Sequence, residues 1–130
     1  MSPDPTAVVL CVAAEQLSLM VRGLVLKSEG YEVLSASTLE DALNIAVSRN
    51  PELIVCEQPF GEISGIHLAE MLKQLNSWTP ILLITGIMEA APPTMAVDAI
   101  MTKLDGPEAF LRNVAALLHQ SPSKAGSQAA

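Results

Sequence analysis

Short apolar runs alternate along this chain with longer segments of helical period. Val8-Val9-Leu10-Cys11-Val12, Leu53-Ile54-Val55-Cys56 and Ile81-Leu82-Leu83-Ile84 are unbroken apolar stretches. Stretches this short, with no polar alternation, suit strands buried on both faces, as in a parallel sheet covered by helices. Residues 31–36 read as a further strand and residues 98–101 as a poor fifth one. Between the strands, apolar positions recur three and four residues apart. Leu17, Met20, Val21 and Leu24 share one side of a first helix and are expected to face the core. The same spacing turns Leu39, Ala42, Leu43 and Ala46 inward on a second helix and Leu68, Met71, Leu72 and Leu75 on a third. Leu111, Val114, Ala115 and Leu118 do so on a last one. Strands alternating with helices predict an α/β fold.

Turn and cap residues divide these elements. Gly30 stops the first helix, and Ser37 with Glu40 offers a capping box to the second. Asn50-Pro51 ends that helix, Ser64 caps the third, and Pro80 leads into the fourth strand. Asp105 or Gly106, followed by Pro107 and Glu108, opens the final helix. The weakest segment runs from 86 to 97, because Pro92-Pro93 removes two donors and forbids a continuous helix. Residues 1–6 read as a leader, 7–119 as the domain and 120–130 as a small, polar tail expected to be disordered.

Composition narrows the function classes. The chain has 130 residues, half of them hydrophobic, enough for one domain with a core that needs neither disulfide nor metal. Its net charge is −7 and its seven Lys and Arg are scattered singly, so no basic stripe exists to track nucleic acid. The apolar run 7–14 follows Asp4 rather than a cationic flank, which argues against a signal peptide. No run approaches the roughly twenty residues of a membrane span, so a cytoplasmic protein without a membrane partner is expected. Cys11 and Cys56 lie inside apolar runs and read as buried reduced thiols that neighbouring strands would bring close. His67 and His119 read as surface residues and Trp78 as the cap of a core edge.

In an open parallel sheet, ligands bind beyond the carboxyl ends of the strands. The residues there are Ala13, Ala14, Glu57, Thr85 and Lys103. Together with Gly30-Tyr31-Glu32-Val33, Pro51-Glu52-Leu53-Ile54-Val55, Ser64-Gly65 and Lys103 followed by Pro107-Glu108, their order and spacing resemble the receiver domain of bacterial two-component response regulators over residues 7–118. The resemblance implies a flavodoxin-like, doubly wound sheet of five parallel strands in the order 2-1-3-4-5, here with the fourth helix shortened or lost.

Receivers accept a phosphoryl group on an aspartate that ends the third strand, with magnesium held by an acidic pair after the first. By that resemblance Glu57 stands at the acceptor position and Ala13 and Ala14 at the acidic pair, which leaves no side-chain oxygen for the metal. Thr85 matches the phosphoryl-contacting hydroxyl and Lys103 the neutralising lysine. Ile100 stands where an aromatic switch residue is usual, and Leu104 where proline usually follows the lysine. The expectation is a degenerate, non-enzymatic signalling module without cofactor or metal, in which Glu57 either pairs with Lys103 or turns to solvent. Its partner would be a histidine kinase, a phosphotransfer protein, another regulator or a second copy. Met88, Met95 and Leu104 are candidates for the contact face. Two alternatives are residual phosphoryl acceptance or metal binding at Glu57, and a flavin- or nucleotide-binding protein. The second lacks a phosphate-cradling loop, since Ala13-Ala14-Glu15-Gln16 has neither glycines nor hydroxyls.

Overall fold

The computed structural model describes residues 7–58, 60–86 and 95–120. In chain order the elements are β1 (Val8–Val12), α1 (Gln16–Lys27), β2 (Glu32–Ala36), α2 (Leu39–Arg49), β3 (Leu53–Glu57), α3 (Gly65–Leu75), β4 (Ile81–Thr85) and β5 (Ala99–Thr102). A 3-10 turn over Lys103–Asp105 then leads into α4 (Gly106–Gln120). All strands pair in parallel in the order β2-β1-β3-β4-β5. The α/β fold expected from the strand pattern, and the flavodoxin-like strand order implied by the receiver resemblance, are therefore present.

Because side chains alternate across a strand, the sheet splits the core into two layers. Leu10, Val12, Ile54, Cys56, Ile81 and Leu83 meet α2 and α3 through Ala42, Ala46, Leu68 and Leu72. Val9, Cys11, Leu53, Val55, Leu82 and Ile84 meet α1 and α4 through Leu19, Leu26, Phe110 and Val114. Cys11 and Cys56 thus lie on adjacent strands but on opposite faces, and both are free buried thiols.

Several helix faces differ from the sequence reading. On α1 the expected inward set, Leu17, Met20, Val21 and Leu24, is exposed, while Leu19, Gly23 and Leu26 are buried. This helix is apolar on both sides, so periodicity alone could not choose between them. On α4 the buried stripe is Phe110, Val114 and Leu117, with Ala115 exposed and Leu111 and Leu118 only flanking. Phe110 is the largest of the buried side chains on this helix. On α3, Leu75 is exposed at the last turn. The α2 cap is Thr38, which accepts from Asp41 N at 3.1 Å, rather than Ser37. Ser64 caps α3 as expected, accepting from His67 N at 3.0 Å.

Among the described residues no helix lies between β4 and β5. The double proline, Met88 and the leader fall outside the described residues, as does the tail beyond Gln120, which itself closes α4. Asp98 secures the return to β5: its Oδ2 accepts from Ile81 N and from Lys73 Nζ, both at 2.8 Å. No helix among the described residues is long and apolar enough to cross a membrane.

Candidate functional site

Helix α1 and the turn after β5 both reach Glu57. It is the last residue of β3 and shares its side of the sheet with Leu53 and Val55, so its side chain points toward α1 and α4. It is 4% exposed. Arg22 reaches it from α1, donating from Nε to Glu57 Oε2 at 2.5 Å. Lys103 approaches the other oxygen, with Nζ 3.8 Å from Oε1. The Arg22 guanidinium also lies over the Phe110 ring, 5.4 Å from its centroid, which holds the side chain between α1 and α4.

Arg22 escaped the sequence reading. It lies three residues after Leu19 and four before Leu26, on the edge of the stripe that proved to be buried. A lone arginine on a core-facing stripe signals a buried acidic partner, because an unpaired charge there is costly. The wrong choice of inner face on α1 concealed that signal.

Lys103 is held in place locally. Thr102 N donates to Asp105 Oδ2 at 2.9 Å and Leu104 N to Thr102 Oγ1 at 3.3 Å, a reciprocal box around the 3-10 turn. Gly106 follows at φ 89°, a backbone state that favours glycine. Leu104 is exposed on this turn and Ile100 lies partly exposed on β5. Thr85 ends β4, is buried, and donates from Oγ1 to Gly86 O at 3.0 Å. Ala13 is buried at the end of β1 and Ala14 is exposed beside it. The loop after β3 is anchored by Gln58, whose N donates to Ile84 O at 2.9 Å and whose Oε1 accepts from Ile66 N at 3.3 Å.

The field of the pair extends to the strand beside it. Burial pushes the Cys11 thiol up to about 12, against a smaller downward pull from Arg22 and an upward one from Glu57. The cluster can hold a buried carboxylate between two cations. Among the described residues no group of three His, Cys, Asp or Glu side chains lies close enough to hold a metal ion.

This arrangement, five parallel strands with a polar cluster at their carboxyl ends, defines a doubly wound α/β protein. The sequence model for the response regulator receiver domain matches residues 9–107, and the chain belongs to that family, the receiver modules of two-component systems. Over 106 residues it is 32% identical to the alkaline phosphatase synthesis transcriptional regulatory protein PhoP of Bacillus subtilis, covering 78% of this chain and 44% of that protein. It is 26% identical to the transcriptional regulatory protein KdpE of Mycobacterium tuberculosis, covering 90% of this chain and 53% of KdpE. The chain thus spans about half the length of the curated relatives it matches. A CheY-like receiver domain from Methanospirillum hungatei superposes with a TM-score of 0.82 at 21% identity, over 90% of this chain and 97% of that one. The response regulator TrrA of Thermotoga maritima, solved with magnesium and beryllofluoride, does so at 0.79 and 24%, over 86% and 99%.

Proposed function

We infer that this receiver transmits its signal through a protein partner without phosphorylation at the acceptor position. The observation that carries the reading is the Arg22–Glu57 contact at 2.5 Å. A phosphoryl acceptor needs a free carboxylate oxygen, room for in-line approach and a hard metal ion beside it. Here one Glu57 oxygen is bound by Arg22 and the other faces Lys103. Ala13 and Ala14 carry no side-chain oxygen, so this donor set does not fit magnesium. The guanidinium stands in for the cation, and the site is neutralised from within.

Thr85 Oγ1 donates to the backbone beside it, and Ile100 has no polar tip with which to follow that hydroxyl. Both features support a fixed site rather than a switched one. The partner surface we assign to the β5 side, where Met95 is 94% exposed and Leu104 and Ile100 also present apolar groups. A histidine kinase, a phosphotransfer protein or another regulator would meet it there.

The test is an amide NMR titration with magnesium followed by beryllofluoride. No saturable shift at Glu57, Thr85 or Lys103 is expected at millimolar magnesium. Saturable shifts spreading from Glu57 to Ile100 would establish a live acceptor site and overturn the reading.

A further inference from the structure

Helix α1 carries an apolar stripe on the side away from the sheet. Leu17, Met20, Val21 and Leu24 are 49 to 67% exposed and follow one another at helical spacing. The opposite side, Leu19, Gly23 and Leu26, already fills the core, so nothing about folding requires the outer stripe to be apolar. Met20 and Leu24 also line a shallow groove of about 280 Å³ running past Gly23 to Val33 on the edge strand β2.

We propose that the stripe is the contact of a weak two-fold dimer in which α1 packs antiparallel against α1 of a second copy. Reversing the stripe reproduces it: Leu17 meets Leu24, and Met20 meets Val21 near the two-fold axis, as an isologous contact requires. Antiparallel packing opposes the two helix dipoles and leaves Lys27, exposed at the last turn, at the margin of the contact.

Charge also favours this face. Two copies of a chain with net charge −7 repel, yet α1 contains no acidic residue, and of its two cations Arg22 is turned inward to Glu57. A contact confined to one helix falls short of the roughly 1,200 Å² of a standard interface, so dissociation constants of about 10 to 1,000 μM are expected. The inference rests on α1 alone and stands apart from the phosphorylation reading.

Sedimentation velocity of the intact chain tests it. The weight-average sedimentation coefficient is expected to rise between about 10 μM and 1 mM, and Leu24→Glu, at an exposed position, to weaken association at least about tenfold with an unchanged circular dichroism spectrum. Geometry is read by cysteine pairing, since Cys11 and Cys56 are buried. Val21→Cys should cross-link to itself on mild oxidation. Leu17→Cys should cross-link to Leu24→Cys in a mixture far better than to itself. A single monomeric species throughout the range, or a dimer that survives Leu24→Glu, would overturn the proposal; in the second case the β5 surface would be the contact.

Discussion

Arg22 Nε donates to Glu57 Oε2 at 2.5 Å, joining the middle of α1 to the end of β3 across the buried side of the sheet. The bond fixes a carboxylate in the core layer and also the rotation of α1. With Arg22, Leu19 and Leu26 turned inward, the residues between them, Met20, Val21 and Leu24, turn to the outer side of the helix. One ion pair therefore joins the buried Glu57 carboxylate to the inward side of α1.

Removing one partner of such a pair leaves an uncompensated charge, a loss of about 3–5 kcal/mol for a fully buried site. Lys103, 3.8 Å from the other Glu57 oxygen, offsets part of it. Arg22→Ala is therefore expected to lower the unfolding free energy by about 2–3 kcal/mol in urea titration. Replacing both partners by apolar residues of similar shape, Arg22→Met with Glu57→Leu, should recover most of that loss. A single-variant effect below about 0.5 kcal/mol would show that the contact is incidental.

Much of this architecture was legible in the sequence. The apolar runs at Val8, Leu53 and Ile81 have only one physical use, as strands buried on both faces, and the caps at Ser64 and Asn50 follow from local backbone chemistry. The strand-end residues Glu57, Thr85 and Lys103 could be placed because topology dictates what stands at a strand terminus. Rotation of a doubly apolar helix is another matter. In α1 both Leu17-Met20-Val21-Leu24 and Leu19-Gly23-Leu26 satisfy helical spacing, so spacing does not choose between them. Arg22 became visible as a site residue only once that choice was made by tertiary packing.

Two glycines with opposite surroundings give a contrast in stability. A Cβ on Gly65 would lie 2.8 Å from Gln58 Cβ, 2.9 Å from Leu83 Cδ1 and 3.2 Å from the Gln58 backbone. The loop after β3 must shift to admit it, so Gly65→Ala should cost about 1–3 kcal/mol. On Gly23 the same atom meets Val33 Cγ1 at an ordinary 3.7 Å, inside a helix where alanine is the better former. Gly23→Ala should stabilise by about 0.5–1 kcal/mol. Thermal or urea unfolding decides it, and equal signs for the two variants would contradict the packing described.

The thiols make stability fall on the alkaline side. Burial pushes Cys11 from the usual 9.0 up to about 12 and raises Cys56 also, with the Cys11 charge adding to the latter. A folded-state value above the unfolded one means that the unfolded chain releases its proton first. Stability from these groups is then complete below about pH 9 and declines as pH rises toward 12, by up to about 1.4 kcal/mol per pH unit for each thiol. Tyr31, also raised by burial, titrates in the same alkaline region, so the comparison is with the Cys11→Ala, Cys56→Ala double variant. Its unfolding free energy should fall less steeply between about pH 8 and pH 10 than that of the parent chain. At neutral pH neither native thiol should react with a disulfide reagent until the chain unfolds, because both lie beneath helices on opposite faces of the sheet. Parallel pH slopes, or rapid labelling of the folded protein, would place at least one thiol nearer to solvent than the core described here allows.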